Sequence, residues 1–445
     1  MLPVASPDSL PSLSLTFSLV FAAAVLLSFL VRLWLASRQV RHVVRHRDAV
    51  PAAFAGAVTP EAHRKAADYT VVRARLGVLA AAFGTAVLLG WTLLGGLDLL
   101  NATLRDALQP RWGDMVYQLA LLTAFVAIAS LLDLPFDLYR IFVVEQRYGF
   151  NRMSARLYLA DTLKAMVVGA VIGLPLAALV LWIMGVSGGW WWFWAWLAWV
   201  GFQLLVLVLY PTVIAPWFNR FEPLADPVLE ARVKALMARC GFDAKGLYVM
   251  DGSRRSAHGN AYFTGFGAAK RVVFFDTLLA KLTPGEVEAV LAHELGHYRQ
   301  RHVLKRIGLI FVASLAALAL LGWLAAQPWF YAGLGVAPNM LAPNDALALL
   351  LFMLALPPFA FLLGPLAAWT SRRHEFEADA YACAQADGRD LASALLKLHA
   401  DNAATLTPDP LYVRFYYSHP PASQRLAALA THTRAPAQAL PEAAA

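Results

Sequence analysis

Seven apolar stretches limit what this chain can fold into. They run from about Leu13 to Leu35, Leu76 to Leu100, Met115 to Leu134, Leu163 to Met184, Trp190 to Tyr210, Ile307 to Ala326 and Ala346 to Thr370. Each reaches roughly 20 residues, the length at which a helix crosses a hydrocarbon core and satisfies its own backbone hydrogen bonds. Composition agrees. Of 445 residues, 59% are hydrophobic and 15% charged, against roughly 25% charged in soluble domains. The expected fold class is mainly α: a polytopic membrane protein whose first partner is the lipid bilayer. The first stretch has one acid, Asp8, and no basic residue before it, so it reads as a retained span, not a cleaved leader.

The basic residues follow this pattern. Between Ser37 and Arg75, a segment expected to be a polar loop, lie Arg38, Arg41, Arg45, Arg47, Arg64, Lys65, Arg73 and Arg75. The segment from Gln327 to Asn344 has no Lys or Arg, and Ser371-Arg372-Arg373 follows the last span. Basic loops stay in the cytoplasm, which places the N-terminus outside and the residues after span five and after span seven in the cytoplasm. The net charge of +8 is explained by this bias, and no nucleic-acid partner is expected. The tryptophans from Trp190 to Trp196 read as an interfacial belt. Pro357, Pro358 and Pro365 predict kinks in the last span. Cys240 and Cys383 lie far apart and make no disulfide framework.

Between Trp217 and His302 the composition turns soluble. An amphipathic helix is expected over Asp226–Cys240. Strands are expected at Leu247–Met250, Asn260–Phe266 and Arg271–Phe275. Thr283-Pro284-Gly285-Glu286 has the form of a capping box with proline at the first helical position. The helix it opens carries His293-Glu294-Leu295-Gly296-His297, the pattern H-E-x-x-H. Two histidines four apart share a helix face and can each give a ring nitrogen to Zn2+, with Glu294 between them as general base. A catalytic zinc needs a third protein ligand and an open position. After the last span, Glu375 and Asp379 are four apart on an expected helix, suited to a ligand and a carboxylate that orients a ligating histidine. His374 is the rival ligand, and Glu377 is expected to point elsewhere, at the surface. His419, before Pro420-Pro421 in a rigid turn, is either an oxyanion donor or structural. His258 and His302 are expected to be structural.

These segments together resemble the integral-membrane zinc CAAX prenyl proteases of type 1, relatives of the yeast a-factor-converting enzyme. The resemblance is carried by Pro135 to Asn151, Ile214 to Phe221, Gly252 to Ser256 with Asn260-Ala261-Tyr262, His293 to His297, Ser371 to Asp379 and Tyr417 to Pro421. Glu377 departs from it, standing where the family commonly has glutamine. The Ala/Arg-rich composition points to a bacterial member in the inner membrane. The resemblance implies seven helices around a water-filled chamber and a gluzincin-like zinc protease domain with a small β-sheet. It implies Glu375 as third ligand to one Zn2+ per chain, Asp379 behind the ligands, and His419 on the tetrahedral intermediate. It also implies that Asn260, Ala261 and Tyr262 hold the substrate backbone by strand addition.

The expected organisation is a membrane region over 1–216, a zinc-protease domain over 217–302, spans six and seven over 303–370, the rest of the protease domain over 371–430, and a disordered tail over 431–445. The expected activity is zinc-dependent hydrolysis of peptide bonds in peptide or protein substrates, prenylated or membrane-embedded. The alternatives are a general quality-control protease of membrane proteins, or a silent scaffold or transporter.

Overall fold

The structure, a computed structural model, describes residues 10–244, 246–264, 271–339 and 343–434. Among them seven helices are long and apolar enough to cross a membrane. The long helices are α1 (Leu10–Arg45), α2 (Pro60–Trp91), α3 (Gly96–Tyr139), α4 (Ala155–Val186) and α5 (Trp191–Leu209), then, after the sheet domain begins, α6 (Pro227–Arg239), α7 (Pro284–Arg299), α8 (His302–Leu324), α9 (Asp345–Ala360) and α10 (Gly364–Gln385). Three shorter helices close the chain: α11 (Gly388–Asp401), α12 (Pro410–Tyr416) and α13 (Ala422–Arg434).

Several helices outlast their apolar stretches. The expected polar loop from Ser37 to Arg75 is mostly helix: α1 continues to Arg45, and α2 begins at Pro60, capped by Thr59 Oγ1, which accepts from Ala62 N at 3.2 Å. Tertiary ion pairs explain the extension. Arg38 reaches Asp409 at 3.0 Å and Arg47 reaches Asp68 at 2.7 Å, so charged turns beyond the bilayer gain partners from other segments. The second span, expected to Leu100, stops at Trp91. Gly95 takes a left-handed φ of 77° and starts α3, and a second break inside α3 falls at Gly113 with φ 78°. The prolines of the last span act as expected. α9 ends at Ala360, a tight turn covers Phe361–Leu363, and α10 restarts with Pro365 in its first turn. α10 then runs without interruption from apolar residues into Glu375 and Asp379.

Strands β1 (Phe221–Pro223), β2 (Gly246–Met250), β3 (Ala261–Thr264) and β4 (Arg271–Phe275) form one sheet in the order β1-β2-β4-β3. The β2–β4 pair is parallel and the outer pairs are antiparallel. β1 was not anticipated from sequence, being three residues long with a proline. β3 lies at an edge among the described residues. The expected strand Asn260–Phe266 begins one residue later, and Gly265 and Phe266 lie outside the described residues.

Among the described residues two large apolar cores hold the protein, with three smaller clusters beside them. One joins the spans through Phe21, Trp91, Tyr117, Trp191, Phe330 and Leu351. The other packs β4 against α6, α7, α11 and α13 through Val233, Leu236, Phe274, Leu291, Leu295 and Leu429. Each fully buried leucine or phenylalanine there contributes roughly 1.5–3 kcal/mol of transfer free energy. Between α1, α2 and the segment from His399 to Pro421 lies a cavity of about 690 Å³. The C-terminal helix runs to Arg434, four residues into the expected tail. The remainder of that tail lies outside the described residues.

Candidate active site

The motif helix α7 is fixed at its start as its sequence predicts. Thr283 Oγ1 accepts from Glu286 N, and Glu286 Oε2 accepts from Thr283 N at 2.8 Å. Glu286 is buried and also receives Ser393 Oγ at 2.6 Å and Lys397 Nζ at 2.7 Å, which ties α7 to α11. Leu291, Ala292 and Leu295 face the core. His293 and His297 share one face of the helix, as the i, i+4 spacing requires.

Gly296 decides how close the second half of the site can come. A Cβ placed there would stand 2.9 Å from Ala378 Cα and 3.0 Å from Ala378 O. The missing side chain lets α10 lie directly on α7. Glu375 then reaches both histidines: Oε2 is 3.5 Å from His293 Nε2 and Oε1 is 3.3 Å from His297 Nε2. The three donor groups lie within 4.8 Å of one another.

Behind this trio stands a buried charge pair. Asp379 Oδ1 is 2.8 Å from His293 Nδ1, and Asp379 Oδ2 accepts from Arg425 Nε at 2.8 Å. Arg425 Nη1 approaches Glu375 Oε2 at 3.5 Å. Burial alone would drive the His293 ring neutral, but the carboxylates of Asp379 and Glu375 hold its pKa up to about 9 in the metal-free protein. Asp379 likewise lifts the Arg425 guanidinium above its ordinary range against the cost of burial.

Glu294 is half-buried and makes no hydrogen bond or ion pair within 4 Å among the described residues. Its charge helps to hold the Arg425 guanidinium ionised. His419 lies across the site, its Nδ1 2.8 Å from Glu375 Oε2 and its side chain 67% exposed. Arg372 anchors the approach to that residue by donating to Val413 O at 3.0 Å and Tyr417 O at 2.8 Å. Burial pushes the Tyr417 hydroxyl up to about 12, so it stays protonated at neutral pH. Asn260 sits one residue before β3. Its Oδ1 accepts from Ala261 N at 2.8 Å and its carbonyl accepts from Phe275 N at 2.9 Å. Tyr262 packs edge-on against Phe275.

The structure thus brings His293, His297, Glu375, Asp379, Glu294 and His419 together. It also adds residues that local patterns did not single out. Arg425 is one of few charges on an alanine-rich helix, and its burial shows only when α13 docks. Glu377, expected at the surface, is half-buried, with Oε2 2.9 Å from His302 Nε2. His374, the rival ligand, does not join the trio but stacks on His302.

The trio fits a metal ion. Two imidazoles and a carboxylate supply three protein ligands of the kind a catalytic metal takes while leaving a position open. Glu375 Oε2 is buried and faces the imidazoles of His293 and His419 and the guanidinium of Arg425 at 2.8–3.5 Å, a carboxylate held ionised among nitrogen donors and so suited to meet a cation.

Comparison with known proteins agrees with this geometry. Residues 39–220 match the family described as CAAX prenyl protease N-terminal, five membrane helices, and residues 223–433 match peptidase family M48. The chain is 30% identical to the CAAX prenyl protease 1 homolog of Homo sapiens, covering 93% of this chain and 95% of that protein. It is 30% identical to CAAX prenyl protease 1 of Saccharomyces cerevisiae, covering 85% and 88%. The crystal structure of S. mikatae Ste24p superposes with a TM-score of 0.86 at 27% identity, covering 96% of this chain and all of that one. With the N-terminal helices and the H-E-x-x-H domain both matched, the chain belongs to peptidase family M48 and is a multi-pass membrane metalloprotease.

Proposed function

We propose that this chain is a zinc endopeptidase that hydrolyses CAAX-type peptides, prenylated or membrane-embedded, at the cytoplasmic end of its helices. The observation that carries this reading is the convergence of His293, His297 and Glu375 beside an unpaired Glu294. The names of the related proteins support the substrate class. The cavity supports it too: its walls mix apolar residues of α1 and α2, such as Leu33 and Val78, with polar groups near His419. A peptide with an aliphatic or lipid-bearing end meets both chemistries there.

His293, His297 and Glu375 would hold one zinc ion. When bound, zinc supplies a Lewis acid and lowers the pKa of water at its open position toward about 7. Glu294 takes the proton of the attacking water and hands it to the nitrogen of the departing amine. His419 donates a hydrogen bond to the oxygen that gains negative charge. Asp379 accepts a hydrogen bond from Nδ1–H of His293 and keeps that ring turned so that Nε2 faces the site. The edge of β3 offers backbone hydrogen bonds to an extended substrate, with Asn260, Ala261 and Tyr262 along it. The basic loops and the site lie on the cytoplasmic face and the N-terminus outside. By this reading 1–216 and 303–370 are the membrane region, and 217–302 with 371–430 form the protease.

The test is cleavage in detergent of one peptide with and without a farnesyl group, before and after chelation, with zinc counted per chain. One zinc, chelator-sensitive cleavage and preference for the farnesylated peptide are expected. Cleavage that survives full metal removal overturns the zinc reading. Equal rates on the two peptides replace the CAAX reading with general membrane-protein proteolysis.

A further inference from the structure

Both ligand histidines direct Nε2 toward Glu375. A histidine that gives Nε2 to a metal carries its proton on Nδ1, and that N–H needs an acceptor. For His293 the acceptor is Asp379. For His297 it is a second imidazole: Nδ1 of His297 lies 3.0 Å from Nδ1 of His302, and Nε2 of His302 lies 2.9 Å from Glu377 Oε2. One proton arrangement of neutral rings satisfies every contact. Glu377 accepts Nε2–H of His302. That leaves the His302 Nδ1 lone pair free to accept Nδ1–H of His297, and His297 Nε2 is free for the metal.

We infer that His302 and Glu377 are positioning residues, a relay that fixes the tautomer and angle of His297 and strengthens Nε2 as a donor. They do through one intervening ring what Asp379 does directly for His293. The inference rests on the reading of His293, His297 and Glu375 as zinc ligands.

The fold is built to hold the relay. Between α7 and α8 the chain turns at Arg301, which takes a left-handed φ of 56°. This non-glycine residue in an unfavourable region brings the first residue of α8 back onto the last turn of α7. His302 is 4% exposed. Glu377 is held from its other oxygen by Arg373 Nε at 3.0 Å. His374, one turn before Glu377 on α10, stacks on His302 with ring centres 3.9 Å apart and planes 10° apart.

His302, His374 and Glu377 also bring their donor atoms within 4.8 Å, so a second metal site is the competing reading. The stacking argues against it. Imidazole lone pairs lie in the ring plane, and two parallel stacked rings send them along parallel lines that do not converge on one ion. Both nitrogens of His302 are already engaged.

The test uses the full chain in detergent, with zinc affinity measured by chelator competition, metal counted per chain, and the visible spectrum of the cobalt-substituted protein. Glu377→Ala, which leaves Nε2–H of His302 without its acceptor, is expected to weaken zinc roughly 10- to 100-fold. It should also shift the cobalt bands and lower kcat more than it changes KM. Glu377→Gln keeps an acceptor of lower charge and is expected to restore part of the loss. His302→Leu should match Glu377→Ala. If His302→Leu does not fold, the Glu377 pair decides alone. Unchanged zinc affinity and cobalt spectrum in Glu377→Ala overturns the relay. A second zinc in the wild type that Glu377→Ala removes overturns it in favour of a second site. A wild-type chain that holds no zinc defeats the ligand assignment and the relay together.

Discussion

Gly296 and Ala378 mark the point where the two halves of the site touch, and a single methyl group on Gly296 would enter the space of the Ala378 backbone. Both contacts are to main-chain atoms of a buried helix, so no side chain can rotate away. Gly296→Ala is expected to cost about 1–3 kcal/mol from overpacking and to separate Glu375 from the histidines. Zinc affinity should fall more steeply than the melting temperature. A variant with wild-type affinity would show that the helices adjust without disturbing the trio.

Asp379 and Arg425 form a buried pair behind the ligands. Removing one partner leaves the other buried charge with a single remaining ion-pair contact, Asp379 with His293 or Arg425 with Glu375, and Arg425→Met or Asp379→Leu alone should destabilise by up to about 3–5 kcal/mol. The double variant Asp379→Leu with Arg425→Met should recover most of that stability but not zinc affinity, because His293 Nδ1 still lacks its acceptor. Thermal melts and chelator competition on the four proteins check this. Recovery of both quantities would make the pair structural only.

Glu294 and His419 are assigned to chemistry, not to metal binding. Glu294→Gln should fold, hold metal and lose about 10²- to 10⁴-fold in turnover. His419→Phe should keep its metal and lose about 10²-fold or more, as for loss of an oxyanion donor. Metal content and kcat measured on the same samples separate the roles. A His419→Phe protein with an unchanged rate returns His419 to a structural part.

Proton and metal compete for His293. Its pKa is raised to about 9 without metal, above the ordinary 6.5 of the unfolded chain. The protonated ring therefore stabilises the metal-free fold fully below about pH 6.5, and this contribution is lost as pH rises through about 9. Metal affinity runs the opposite way, since the proton must leave before the ion enters. Affinity should rise about tenfold per pH unit between roughly 6.5 and 9 from this group alone. A flat profile in chelator competition across that range contradicts the assignment.

The cavity is lined by Arg32, Arg73, His258, His399 and His419, and no Asp or Glu is among its lining residues. Arg32 and Arg73 rest on aromatic rings, Phe361 at 4.1 Å and Tyr69 at 5.3 Å, with no carboxylate within ion-pair distance among the described residues. The Glu145 carboxylate feels Arg73 at longer range, and Arg32 and Arg73 together give this wall of the cavity a positive field that favours an anion. A CAAX peptide ends in a free carboxylate. Converting that end to an amide should lower kcat/KM about 10- to 100-fold, the loss of a charge-assisted hydrogen bond. Arg73→Gln or Arg32→Gln should shrink the acid-to-amide ratio. Equal cleavage of both peptides by the wild type would remove this role.

Much of the architecture was legible because it is written locally. A membrane helix announces itself by apolar length, the capping box by Thr283 and Glu286, the histidine pair by its spacing of four. Glu375 and Asp379 share a face for the same reason, and the resemblance to a known family pointed to their roles. Helix ends were less legible. α1 and α2 run far past their apolar residues because Arg38 and Arg47 find acids on other segments, and no local pattern records a partner 371 residues away. The same holds for Arg425, an ordinary arginine until α13 docks on Asp379. It holds for His302 and Glu377, which acquire roles only because a left-handed turn at Arg301 folds α8 back onto α7. The sequence by itself determined where the membrane spans and the motif helix form and which residue types can meet a metal. Tertiary structure decided which charges are buried, since burial depends on what other helices bring to the same point, and with that which groups stand behind each ligand.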